Sequence, residues 1–137
     1  MLELTTDFGT IAVSKNVIGR IVSEAVADID EFGGEIYLTN RKGKELKLKN
    51  AGGVIDNSGA MDISMKDDGI VLRFFVMLKI GMSITAVTNR MFDYISDEIL
   101  AATGMTPEEI TIVITGMYTK DSKDSKTIAK RNIEIKR

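Results

Sequence analysis

The sequence predicts an α+β domain: two amphipathic helices packed on one sheet of mostly antiparallel strands. Three observations predict it. Apolar residues recur at helical spacing in two places, each time directly behind a serine. Alternating apolar runs flank an Asp-Gly step at Asp68-Gly69. A β-branched run, Ile110-Thr111-Ile112-Val113-Ile114-Thr115, has apolar residues on both faces.

Taken in order, residues 10–13 read as a short strand feeding the first helix. Ser14 caps that helix, and Val17, Ile18, Ile21, Val22, Ala25 and Ile29 form its apolar stripe, which stops before Gly33-Gly34. Residues 35–40 and 45–49 are expected to form a hairpin around Arg41-Lys42-Gly43, with Leu46 and Leu48 alternating against lysines. Residues 50–60 are rich in glycine and asparagine and read as a loop. Met61, Ile63 and Met65 alternate with polar residues up to Asp67-Asp68-Gly69, and a long strand follows. In that strand Ile70, Leu72, Phe74, Val76, Leu78 and Ile80 share a buried face, and Val71, Arg73, Phe75, Met77 and Lys79 a partly covered one. Ser83 then caps a second helix through Ile84, Val87, Met91, Ile95 and Ile99, with Gly104 as its stop. The β-branched run closes the domain as a central strand.

Composition sets the limits on function. The chain has 137 residues, one domain's worth, with 44% hydrophobic and 28% charged residues, as in ordinary globular proteins. It contains no cysteine and no histidine, which excludes disulfides, thiolate nucleophiles and cysteine-based metal sites and removes the commonest general base. Chemistry would have to run on carboxylates, lysines or hydroxyls, so a non-enzymatic protein without cofactors is expected. The run IVLRFFVMLKI (70–80) is broken by Arg73 and Lys79 and is far short of the roughly 20 apolar residues of a spanning helix. The first residues lack the basic flank of a secretory signal. A cytoplasmic location without a transmembrane segment is the expectation.

Charge is unevenly spread. Residues 120–137 hold seven Lys or Arg against three Asp or Glu, while the rest of the chain is net acidic. Residues 120–126 lack any apolar side chain and predict a mobile linker. The division expected is therefore a domain over 1–119 and a basic, mobile tail over 120–137, where Ile133 and Ile135 show only a weak alternation.

Candidate sites have plain structural readings beside the functional ones. Gly81-Met82-Ser83 at a strand-to-helix turn lacks the further glycines or the lysine of a phosphate loop, and reads better as a turn and a helix cap. Asp67-Asp68 reads as a solvated turn rather than an acid–base pair. Asp93, Asp97 and Glu98 lie on the wet side of the second helix, without the further ligands of a metal site. The tail, with Lys130 and Arg131, could meet nucleic acid or an anionic membrane surface. It has no aromatics for base stacking, which makes nucleic acid the second reading. The lysine-studded run with Leu46, Lys47 and Leu48 reads as an edge strand. Phe92 and Tyr94 read as helix residues outside the core. These seven residues form the candidate interaction surface.

Two blocks carry a resemblance. GTIAVSKNVIGRIVSEAVADI (9–29) runs from a Gly-x-Ile strand through a serine cap into a Val-Ile-x-x-Ile helix. Residues 69–117, from GIVLRFFVMLKIGM to EEITIVITGM, hold a long strand ending in glycine, an Ile-led helix with a Thr-Gly stop at Thr103-Gly104, and a last strand closing in glycine. Together the blocks span about half of the chain and resemble the alkaline-shock, or envelope stress response, protein family of bacteria. Phe32-Gly33-Gly34-Glu35 stands where that family has a Gly-Val step, and Pro107, Glu108 and Thr111 depart from its last strand. Residues 35–60 and the tail match nothing in it. The resemblance implies a cytoplasmic, non-enzymatic protein of the cell-envelope or general stress response, held near the membrane by an anchoring protein partner and prone to self-association as a homo-oligomer. It brings no catalytic residues. A binding or scaffold module is the leading expectation, a small nucleic-acid-binding domain the alternative.

Overall fold

The computed structural model describes residues 2–6, 9–30, 35–66, 69–118, 127–129 and 133–137. The chain opens with an antiparallel pair, β1 (Leu2–Thr6) and β2 (Gly9–Val13), and runs straight into helix α1 (Lys15–Ile29). The sequence pattern does not foretell β1. Ser14 caps α1 as expected, its hydroxyl accepting a hydrogen bond from the Asn16 N–H at 3.2 Å. Ile18, Ile21, Val22, Ala25, Val26 and Ile29 are the buried stripe. Just past the helix, Asp30 Oδ1 accepts from the N–H groups of Glu35 (2.7 Å) and Ile36 (3.3 Å), which fixes where the chain re-enters the sheet as β3 (Ile36–Thr39).

After a small hairpin, β4 (Lys49–Asn50) with β5 (Gly53–Val54), and a 3-10 turn at Ser58–Ala60, come β6 (Asp62–Lys66) and the long β7 (Gly69–Lys79). They pair antiparallel, as the alternation predicts. Helix α2 (Ile84–Thr103) follows, capped by Ser83, whose hydroxyl accepts from the Ala86 N–H at 3.2 Å. It ends at Gly104, whose φ of 75° favours a residue without a side chain. The chain then crosses back as β8 (Pro107–Tyr118), parallel to β7, and adds β9 (Thr127–Ala129) and β10 (Ile133–Lys136), both antiparallel to β8. One parallel pair therefore sits at the centre of an otherwise antiparallel six-stranded sheet.

Both helices cover one face. Ile70, Leu72, Phe74, Val76 and Leu78 of β7 meet Ile110, Ile112 and Ile114 of β8 and the stripes of both helices in one core. Ile80, expected on that face, is 45% exposed, because β7 stops at Lys79 and Ile80 already belongs to the turn. The β8 strand is central, as its composition requires.

Two expectations are corrected. Residues 45–48 form no edge strand: Glu45 makes a single bridge to Thr39, and the Leu46 N–H bonds the Leu38 carbonyl at 2.8 Å. The chain then leaves the sheet. Leu46 and Leu48 nevertheless turn onto the core, half-buried. The loop beyond takes up the backbone between them, Asn57 Nδ2 donating to the Lys47 carbonyl (2.9 Å) and the Ile55 N–H to the Leu48 carbonyl (2.9 Å). That loop is pinned on α1, where a side chain at Gly19 would lie 2.7 Å from the Ser58 backbone nitrogen. The second correction concerns the tail. Its described residues are strands of the sheet, and Ile133 and Ile135 pack against the core. The Asp67-Asp68 turn, Gly33-Gly34 and the expected linker at 120–126 lie outside the described residues.

Candidate docking surface

The two long central strands each present an outer edge, and each edge is tiled by two short strands. On β7 the tiles are β3 and β6; on β8 they are β9 and β10. The first edge is partly covered, at the joint between its two tiles and along β3. Arg41, in the turn after β3, reaches the start of β6, donating to the Met61 carbonyl at 3.1 Å and pairing with the Asp62 carboxylate. The guanidinium also stands 6.0 Å from the centre of the Phe75 ring. Further along, residues 44–46 take up the outer side of β3.

The second edge is different. Arg137 and Ile110 exchange both backbone hydrogen bonds, at 2.9 and 3.2 Å. Antiparallel pairs alternate, so Ile135–Ile112 and Ile133–Ile114 are also hydrogen-bonded pairs, and Glu134 and Lys136 are not. The backbone N–H and C=O groups of Glu134 and Lys136 consequently point away from β8. Among the described residues, nothing meets them there.

Side chains anchor this strand to the body. Arg73 of β7 reaches over the intervening β8 to Glu134 at 2.5 Å, and its guanidinium lies 5.7 Å from the Phe75 ring centre. Lys136 Nζ holds Glu109 at 2.9 Å. The hydrogen bond from Lys136 is the main reason the Glu109 carboxyl titrates below its ordinary range, with desolvation opposing it and the Lys136 charge adding to it. Arg137 meets Asp93 of α2 at 2.7 Å and lies 5.6 Å from the Phe92 ring centre. All three pairs reach solvent, so each anchors weakly and the ladder does most of the holding.

The residues singled out in the sequence do not converge here. Leu46 and Leu48 are half-buried on the core and Lys47 is exposed between them. Phe92 is no surface residue: it is 2% exposed, because it sits on the core-facing side of α2 with Arg137 closing over it. Tyr94 is half-buried beside acidic neighbours, and burial first, then Glu24, Glu98 and Asp28, push its hydroxyl pKa up. Lys130 and Arg131 lie outside the described residues. The sequence reading does not single out the edge residues Glu134, Lys136 and Arg137, although Ile133 and Ile135 give the period-two signal that would find them.

Among the described residues, no three Asp or Glu side chains are grouped so as to hold a metal ion, and no helix is long and apolar enough to cross a membrane. Residues 3–119 match the model of the alkaline shock protein family, described as having a cell envelope-related function. No curated protein and no solved structure matches the chain.

Proposed function

The chain belongs to the alkaline shock protein family that its two sequence blocks resemble, and from the family's cell envelope-related function we propose a non-enzymatic docking module that works through the open edge of β10. The observation that carries this reading is the phase of the β10–β8 ladder, which leaves the backbone groups of Glu134 and Lys136 turned outward. An extended strand can add to such an edge using main-chain hydrogen bonds alone. The nucleic-acid alternative draws no support from the tail's described cations, since Lys136 and Arg137 face Glu109 and Asp93.

The test is Lys136→Pro. Proline there removes an outward N–H while sparing the inward ladder, so the fold should stand. The unaltered protein should associate with envelope fractions of its own cells, and the variant should lose that association. Full retention, with unchanged circular dichroism, would remove the edge from the proposal.

A further inference from the structure

We infer that the edge of β10 takes a second copy of this chain, paired antiparallel across a two-fold axis that passes beside Ile135; this rests on the docking reading above. The ladder phase restricts the registers. Backbone groups available for pairing belong to Glu134 and Lys136, so these must form the hydrogen-bonded pairs of any added strand. A symmetric antiparallel partner can meet that condition in three ways: Glu134 opposite Glu134, Lys136 opposite Lys136, or Glu134 opposite Lys136 twice over. The first two set like charges face to face and use only part of the edge. The third engages both residues of both copies in hydrogen-bonded rings and sets opposite charges together, which stabilises a cross-strand pair where like charges destabilise it.

The surrounding side chains extend the same pattern. Glu134 is already held by Arg73, and Lys136 by Glu109. The third register therefore builds a row of alternating sign, Arg73–Glu134 of one copy continuing into Lys136–Glu109 of the other, and repeats it by symmetry. On the helix side, the two half-buried Ile135 side chains face each other as a non-hydrogen-bonded pair, the closer of the two pair types, and shield each other from water. Two six-stranded sheets become one. The contact is isologous, so it closes at two copies. Its strand lies beyond residue 119, where the family match stops. A four-residue edge is small, and the dimer should be weak and concentration-dependent.

Sedimentation equilibrium of the full chain, with charge variants, tests this. The unaltered protein should show a monomer–dimer equilibrium. Glu134→Lys puts Lys against Lys at both symmetric positions and should weaken association about tenfold or more. Adding Lys136→Glu should restore it, although both intramolecular pairs, to Arg73 and Glu109, are then reversed to like charges. Recovery could not come from a better-folded monomer. A second readout is independent of those variants. The chain has no cysteine, and Ile135→Cys should oxidise to a disulfide-linked dimer, while Glu134→Cys alone should not. A monomer at every concentration, no rescue by the double variant in a folded protein, or self-linking of Glu134→Cys instead of Ile135→Cys would each overturn the inference. If the chain stays monomeric but Lys136→Pro still loses envelope association, the docking reading stands and the second copy falls. A dimer that binds nothing at the envelope keeps the second copy and overturns the docking reading.

Discussion

The two edges of the sheet are built to one plan and finished differently. Each long parallel strand carries two short antiparallel strands end to end. On the β7 side, the joint between β3 and β6 is bridged by Arg41, and the chain from residue 44 onward takes up the outer backbone of β3. On the β8 side, β10 is pinned from within by its ladder and by exposed ion pairs, and its outer backbone is left facing outward. The partly covered edge lies inside the span of the family match and β10 beyond it. Edge strands invite pairing unless they are charged, covered or kept short. The first edge is covered along part of β3 and bridged at its joint by Arg41. The second carries one acid and one base in alternation, which deters partners of uniform charge and suits one with the reciprocal pattern.

The core beneath both edges sets the scale against which either can be disturbed. Phe74 is fully buried at the centre of β7, between the sheet neighbours and both helices. Phe74→Ala should cost about 3–5 kcal/mol, as large-to-small core changes do. Chemical denaturation checks it, and an unchanged midpoint would mean that the faces of β7 are reversed. That outcome would dissolve the edge comparison too, since a slip of one residue moves every side chain to the other face.

The next effect separates the edges directly. Removing residues 120–137 strips β9 and β10 from β8 while leaving the β3–β6 side intact. Ile133 and Ile135 are half-buried against the core, and their contribution together is about 2 kcal/mol, half of what full burial of two such side chains gives. Loss of the ladder adds to this, and Ile110, Ile112 and Ile114 gain exposure at the new edge. We expect a clear fall in the thermal midpoint and a greater tendency to aggregate, but a folded protein, since the core needs no residue of the tail for its helix–sheet contacts. A midpoint unmoved within a degree would show that the tail strands contribute nothing to stability.

How much of this is legible in the sequence follows from what kind of signal each element emits. The helices announce themselves because Ser14 and Ser83 stand directly before stripes of period 3.6 and Gly104 stands directly after one. Phe74 and Val76 fall on the right face because an eleven-residue alternation admits few registers. The edges mislead in both directions for one reason. Leu46 and Leu48 alternate with lysines just as Ile133 and Ile135 alternate with Glu134 and Lys136, and local pattern is the same for a strand and for an extended segment that tucks inward. Which of the two is paired is decided by distant partners: Asn57 claiming the Lys47 carbonyl, and Arg73, Glu109 and Asp93 holding the last strand. Those partners lie between ten and sixty-one residues away along the chain, beyond the reach of any window. Phe92 misleads in a related way, since its burial on α2 depends partly on Arg137, which only the placement of β10 brings near.

The smallest effect concerns pH and should be confined to the open edge. Lys136, above all through its hydrogen bond, holds the Glu109 carboxyl below its ordinary value of 4.5. A carboxyl depressed in the folded state binds its proton more readily when the chain is unfolded. Its contribution is therefore fully present above the unfolded value and is lost as pH falls through the folded one. Glu109 keeps its contact with water, so the whole-molecule midpoint should move little. The local readout is sharper: amide exchange at Ile135 and Arg137, corrected for the intrinsic pH dependence of exchange, should lose protection on acidification below 4.5 before the β3 amides do. Glu109→Gln should remove part of that acid response by deleting the titrating group while keeping a side chain of similar shape. If the variant and the unaltered protein lose protection at β10 along the same acid profile, the Lys136–Glu109 contact is not what pins the open edge, and the anchoring falls to Arg73 and Asp93.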